Sequence, residues 1–364
     1  MIISRYLLRE ILGPLVVALG VLCALFTSFG AAAFLSDAVN GLLPMNMIFQ
    51  VIGLRTLIAL EVLIPISLYL AVVMALGRLY ADSEMTALFA LGLTTARLMG
   101  IVLGLSLCMA VIVAGLSLVV RPWAYARSHQ LASLAAASLN TQNMQAGTFY
   151  GGKNGGRTIF IEQRAGPAAP ARGVFVQLRL PGGGTRIIHA SAIEETLHLD
   201  GSAQMHLTDA HIYDIGLNGE SSDVVLNATD LVLNLASPSV DPPEYSAIAA
   251  STAHLRASGS TVDVAEFQWR LSTSVSTLLL GMLGVPLSRP RPRQHRNAGV
   301  GLAMLIYAGY YLLYESARTW VQTGVIPVFP GLWIAPVLLA VVLGCVLLAP
   351  RLILALTHRS AEAA

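Results

Sequence analysis

At 364 residues the chain is long enough for more than one folding unit. With 55% hydrophobic and 12% charged residues and a mean hydropathy of +0.68 it is too apolar to be wholly soluble, since soluble domains carry about 25% charged residues. The formal net charge of +2 says little about partners, and the three cysteines, Cys23, Cys108 and Cys345, fall inside apolar runs and imply no disulfide framework in the polar middle.

In chain order, six apolar runs reach the roughly 20 residues that a bilayer-spanning helix needs. They are Ile11–Leu35, Leu54–Leu76, Leu98–Val120, Trp269–Leu287, Ala298–Trp320 and Leu332–Ala349. The first is too long for the roughly 7–15-residue core of a cleaved signal peptide and reads as a retained span. Pro14 and Pro65 lie inside spans, where proline is expected to kink a helix. The basic residues set the orientation. Arg5 and Arg9 precede span one, and Arg78 and Arg97 bracket the link between spans two and three. Arg289, Arg291, Arg293 and Arg296 crowd the link between spans four and five, and Arg351 and Arg359 follow span six. The other two short links hold no Lys or Arg, so the positive-inside rule places both termini in the cytoplasm. The long region between spans three and four then lies outside, which in a Gram-negative cell is the periplasm.

That outer region begins as a helix: Trp123 to Leu139 is Ala-rich without proline and continues span three as a stalk. From Phe149 the period becomes two. Val174, Val176, Leu178 and Leu180 alternate with Phe175, Gln177 and Arg179, and Leu231, Leu233 and Leu235 alternate with Val232 and Asn234. With Gly-rich punctuation this predicts antiparallel strands and tight turns, about seven strands from Thr158 to Leu235, closed by Pro242-Pro243. The chain thus divides into residues 1–120 with the first three spans, 121–266 with the stalk and β domain, and 267–364 with the last three spans and the C-terminal tail.

The link between spans two and three carries the most information. Ser83 suits an N-cap, Glu84 then lies in the first turn where a carboxylate is favoured, and Gly92 suits the residue after the helix, with Thr94 or Thr95 capping the next. This predicts a short helix over 84–91. Met85, Leu88 and Phe89 share one face and either pack on the chain's own bundle or dock into a partner's groove. Charges inside spans demand an explanation. Arg55 and Glu61 lie six residues apart on span two and do not share a face; Glu315 and Arg318 on span five are close enough to pair locally. Snorkelling, a local ion pair or contact with a charged amphiphile would each account for them. Gly147, Gly152 and Lys153 fit the opening of a phosphate-binding loop, but Asn154 replaces the Ser or Thr that would meet magnesium, and a hairpin turn is the better reading. No zinc-protease or nucleophile-elbow motif is present, and five histidines (His189, His198, His206, His211, His254) scatter through the outer region.

These residues resemble the LptF/LptG permease family of the lipopolysaccharide exporter. The N-terminal run Met1 to Glu10 carries part of the resemblance. So do Leu63-Ile64-Pro65-Ile66-Ser67-Leu68-Tyr69, Asp82-Ser83-Glu84 with Gly92-Leu93, Gln268-Trp269-Arg270, and Val285-Pro286-Leu287-Ser288. The resemblance implies six transmembrane helices plus a periplasmic antiparallel β-jellyroll in a Gram-negative inner membrane. It implies a motorless subunit of an ABC transporter, with Asp82, Glu84, Met85, Leu88 and Phe89 in a coupling helix against the ATPase. The implied partners are an LptG-like second permease, a dimeric LptB-like ATPase, an LptC-like single-span protein, an LptA-like bridge and lipopolysaccharide itself. ATP and magnesium belong to the ATPase, and no cofactor is expected in this chain. The jellyroll interior, with Val174, Val176, Leu178, Leu180, Leu231 and Leu233, would hold acyl chains. Two departures stand out: Asp82 occupies a position where the family often has Glu, and Ser28, Phe29 and Gly30 stand where some relatives carry a Lys on span one. A membrane enzyme would need clustered acid, base or nucleophile residues, which are not found. A structural scaffold would not need an apolar interior open to lipid.

Overall fold

The computed structural model describes residues 2–39, 45–137, 146–147, 149–151, 157–163, 171–179, 184–197, 203–215, 224–235, 245–289 and 298–362. They form two compact units, one of Met1–Gly30, Gly53–Arg127 and Ser246–Ala364, the other of Ala31–Ile52 and Ser128–Tyr245. Leu180, Arg291, Arg293, Arg296 and Pro242-Pro243 lie outside the described residues, as do the side chains of Leu233, Arg351 and Arg359.

The helices are α1 (Ile2–Val39), α2 (Met45–Ala81), α3 (Glu84–Ala90), α4 (Thr95–Gly115), α5 (Arg121–Ala137), α6 (Thr252–Ala257), α7 (Thr261–Leu287), α8 (Ala298–Gln322) and α9 (Ile334–Glu362). A π-helical turn, Leu116–Val120, joins α4 to α5 without a break, and a 3₁₀ turn, Gly331–Trp333, precedes α9. Pro14 and Pro65 sit inside helices that continue on both sides. The core of the helical unit is built from α2, α4 and α7: Leu68, Tyr69, Val72, Leu76 and Leu79 meet Leu98, Val102, Leu280 and Leu283. Lipid tails are as apolar as these side chains, so close packing rather than water exclusion holds such helices together. Two glycines of α7 permit the approach. A Cβ on Gly281 would meet Ser106 Oγ at 2.1 Å, and one on Gly284 would meet Val72 Cγ1 at 2.8 Å. α1 adds Leu7, Ile11 and Leu15 to this core, whereas its Val16, Val17, Val21, Leu25 and Phe29 are exposed.

Among the described residues, five helices are long and apolar enough to cross a membrane: Ile2–Ala32, Phe49–Ala81, Thr95–Leu131, Thr261–Leu287 and Gly331–Leu348. The remaining expected run forms α8, a 25-residue helix whose hydropathy is lowered by Tyr307, Tyr310, Tyr311, Tyr314, Glu315 and Arg318.

The β unit holds six described strands against the expected seven: β1 (Phe149–Gly151), β2 (Arg157–Gln163), β3 (Ala171–Arg179), β4 (Thr185–Leu197), β5 (Ala203–Ile215) and β6 (Val224–Leu235). They form one antiparallel meander in sequence order. Its core is Ile159, Ile161, Ala171, Val174, Val176, Ile188, Ala190, Ile193, Leu207 and Ala210. A fold line crosses the sheet. Glu162, Gly173, Ser191, Asp209 and Thr229 occupy one row, and the ladder pairs the rows on both sides of it at constant register while skipping this one. Gly173 (φ 64°) and Asp209 (φ 55°) have left-handed backbone there. The inward period of two consequently slips. β3 buries Ala171 and then Val174, β4 Ala190 and then Ile193, β5 Leu207 and then Ala210. Both halves of each strand thereby turn apolar side chains to the same inner side. Glycine is required at 173, since a Cβ would lie 2.3 Å from Glu162 Oε2 and the backbone there disfavours any side chain.

Candidate functional site

Three places gather the residues singled out in the sequence. At one end of the bundle, α3 follows α2 after two turn residues. Ser83 stands at the N-cap but with φ 62° and no side-chain bond to the helix, so the expected serine cap is replaced by a tight left-handed turn. The C-terminus is as expected and more: Gly92 N–H donates to Phe89 O and Leu93 N–H to Leu88 O, the paired bonds of a Schellman motif, with Gly92 at φ 90°. Thr94 caps α4, its hydroxyl accepting from Arg97 N–H at 3.2 Å. Met85 is fully buried and Leu88 and Phe89 pack against the bundle core. Of the two alternatives for this face, the chain's own bundle or a partner's groove, the structure shows it packed on the chain's own helices, to which the two-residue link tethers it. Glu84 on α3 and Asp82 and Leu91 beside it are exposed. Tyr6 O–H donates to Glu84 Oε2 at 2.5 Å, and Arg78 pairs with Glu10, fastening α1 to the same end.

The second place lies about 30 Å further along α2, twenty-one residues from Asp82 at the helical rise. Glu61 is buried, and neither snorkels nor pairs within its own helix. It accepts from Arg121 Nη1 at 2.7 Å, Ser117 Oγ at 2.8 Å and Trp269 Nε1 at 2.9 Å. The π turn brings Ser117 and Arg121, four residues apart, onto one carboxylate. Arg121 Nε also lies 3.1 Å from Glu266 Oε1 as an ion pair, off the hydrogen-bonding line. Glu266 further accepts from Arg270 Nε at 3.3 Å and Arg318 Nη2 at 2.9 Å. Arg318 pairs with Glu315 as expected, at 4.0 Å, but stands closer to Glu266. Trp269 stacks on Tyr314 (centroids 4.4 Å apart), with the guanidinium groups of Arg121 and Arg318 over its ring at 5.3 and 4.8 Å. Arg55 is exposed on α2. Removing one partner of such a buried pair costs about 3–5 kcal/mol, because it leaves an uncompensated buried charge.

Three consecutive residues of α7 fasten three different parts of the unit. Gln268 Nε2 donates to Val328 O and its Oε1 accepts from Leu332 N–H, bridging the link before α9. Trp269 binds Glu61. Arg270, fully buried, donates to the carbonyls of Ile248 and Ala250 and to Thr252 Oγ1. Arg121, Glu266 and Arg270 are site residues that the charge and spacing of the sequence do not single out. The signal available was Gln268-Trp269-Arg270 itself, with Glu266 four residues before Arg270 at the head of an apolar run.

The third place is the inner face of the bent sheet. Val174 and Val176 are buried there, Leu178 and Leu231 pack at its margin, and Gln177 and Arg179 face out. Leu233 pairs in register with Met205. Beyond Leu178 the same face ends in a bidentate pair, Arg186 to Asp214 at 2.6 and 2.8 Å, whose hydrogen bonds hold the Asp214 carboxyl below its ordinary range. On the opposite face His189 and His211 stand opposite each other in register, and among the described residues no three metal-ligating side chains converge. Gly147 donates to Ile161 O beside the β1–β2 hairpin; Gly152 and Lys153 are outside the described residues.

A sequence model of the lipopolysaccharide export system permease LptF/LptG family matches residues 5–349. The lipopolysaccharide export system permease protein LptF of Escherichia coli (strain K12) is 27% identical over 322 residues, covering 88% of this chain and 87% of that protein. The same protein of Escherichia coli O157:H7 and of Shigella flexneri matches to the same extent. With spanning helices, a separate antiparallel sheet and a match over nearly its whole length, the chain belongs to the LptF/LptG family of lipopolysaccharide export permeases.

Proposed function

We propose that the chain is a permease subunit that extracts lipopolysaccharide from the inner membrane and passes it to a periplasmic bridge, driven by ATP hydrolysed in a separate subunit. The observation that carries this reading is the bent sheet, whose two halves face a continuous apolar wall inward. A wall of Val, Ile, Leu and Ala suits acyl chains, and the Arg186–Asp214 pair at its margin suits the polar part of an amphiphile. In this reading the chain crosses the membrane six times, α8 included, with both termini in the cytoplasm. α3 then lies on the cytoplasmic side and meets an LptB-like ATPase through Asp82, Glu84 and Leu91. An LptG-like permease completes the cavity, and LptC-like and LptA-like proteins receive the lipid.

The reading is tested by photo-crosslinkers placed along β3 in the reconstituted exporter. Val176 and Leu178 are expected to capture lipopolysaccharide only when ATP is supplied, and Gln177 and Arg179 to capture little. Equal capture at all four positions, or capture without ATP, would refute the assignment of this face to transport.

A further inference from the structure

Residues 128–245 are reached through the π turn and α5 and left through the segment 245–260, so Arg121 and Thr252 stand at the roots of the outgoing and returning chain. Both roots are held by the same atoms. Thr252 O–H donates to the carbonyl of Leu118, inside the π turn, at 2.9 Å, and accepts from Arg270 Nη1 at 2.9 Å. Arg270 also gathers the carbonyls of Ala247, Ile248 and Ala250, the turn that leads into α6. Glu266 then receives Arg270 of its own helix, which grips the returning root, Arg121 from the outgoing root and Arg318 from α8.

We infer that Glu266 and Thr252 are positioning residues that clamp the two roots into one rigid body throughout the transport cycle, so that they move together or not at all. The inference rests on the transporter reading. The Glu266 carboxylate is buried, as are two of its three guanidinium partners, Arg121 and Arg270, so separating them would leave an unpaired charge in a water-poor environment. Sliding of one root past the other would break the Thr252–Leu118 bond first.

The test uses the complete reconstituted complex with Cys23, Cys108 and Cys345 replaced by Ser. Nitroxides are attached to Val119→Cys and Ala253→Cys, exposed neighbours of the bonded residues that leave the clamp intact. Dipolar broadening between the labels is expected to be identical without nucleotide, with ATP and after vanadate trapping. In Glu266→Gln the broadening is expected to fall and to vary with nucleotide. Lipopolysaccharide released per ATP hydrolysed should drop about tenfold, within the usual range for a lost coupling contact, while assembly and hydrolysis persist. A spectrum that changes on vanadate trapping in the unsubstituted clamp overturns the inference, as does a Glu266→Gln complex with unchanged spectrum and release. If Glu266→Gln does not assemble, Thr252→Val, which removes only the bridging hydroxyl, is judged by the same two readouts. Absence of ATP-driven release from the unsubstituted complex would strike the transporter reading alone, because the label spectrum is read independently of transport.

Discussion

Glu84 is the residue on which the coupling assignment turns. Exposed at the head of α3, it accepts a hydrogen bond from Tyr6, so its carboxylate is already aimed by α1. Substitution Glu84→Lys removes that bond and reverses the charge offered to a partner. The variant is expected to insert and to bind the second permease, yet to lose the ATPase or to hydrolyse ATP without releasing lipopolysaccharide. Glu84→Asp should be milder. Tyr6→Phe separates the two roles, since it removes only the internal bond: full release in Tyr6→Phe with loss in Glu84→Lys places the effect at the partner. Wild-type ATPase co-purification and release in Glu84→Lys would refute it. At this scale the sequence was informative wherever the determinant is local. The exposed acids and the Gly92 stop follow from neighbours in the chain. The positive φ of Ser83 was hidden because serine's capping preference was outweighed by a reversal confined to two residues. The partners of Glu61 were hidden because they lie 56, 60 and 208 residues away, and no spacing rule reaches that far.

The strand illustrates a different limit at the level of the element. Alternation in β3 placed Val174, Val176 and Leu178 on one face, and they share it. Alternation alone would have turned Ala171 to the opposite face from Val174, whereas the fold line returns both to the inside. Such a slip depends on backbone at Gly173 and Asp209 that L residues rarely adopt, and a lone glycine in a strand reports a bend without its direction. Substituting Gly173→Val places a β-branched side chain on left-handed backbone and against Glu162, at a cost of about 1–3 kcal/mol from backbone strain alone. Amide hydrogen exchange should show β3 and β4 losing protection while α2, α4 and α7 keep theirs. Unaltered protection in β3 would mean that the bend does not depend on glycine. The short helix α3 shows the same limit: its apolar face was evident, but which surface it would cover was not.

For the molecule as a whole, the number of crossings depends on α8. Its tyrosines and charges make it the least obviously lipid-soluble of the six long helices expected to span, yet Tyr314, Ala317 and Val321 are buried and Arg318 reaches Glu266. Polar groups satisfied inside the bundle lower a helix's hydropathy without exposing it to lipid. Six crossings predict that periplasm-sensitive reporters fused after Asp37, Asp200 or Thr323 are active and those fused after Ser83 or Gln294 are silent. An active reporter at Gln294 would place four arginines outside and overturn that count. Spans and sheet were legible because bilayer thickness and the two-residue pleat impose lengths and periods on the chain itself. The charged cluster was not, since it exists only once four helices have met.

That last property has a consequence in time. Glu61 leaves the ribosome 60 residues ahead of Arg121 and 205 residues ahead of Glu266, whose arginines complete its surroundings. At synthesis rates of about 5–20 residues per second, the first interval lasts roughly 3–12 s and the second roughly 10–40 s. A carboxylate at mid-span carries an insertion penalty of about 2.5–3.5 kcal/mol. α2 is therefore expected to mature in two stages, first entering the bilayer before Arg121 exists to meet Glu61 and only later being locked, its final seat set by residues not yet made when it enters.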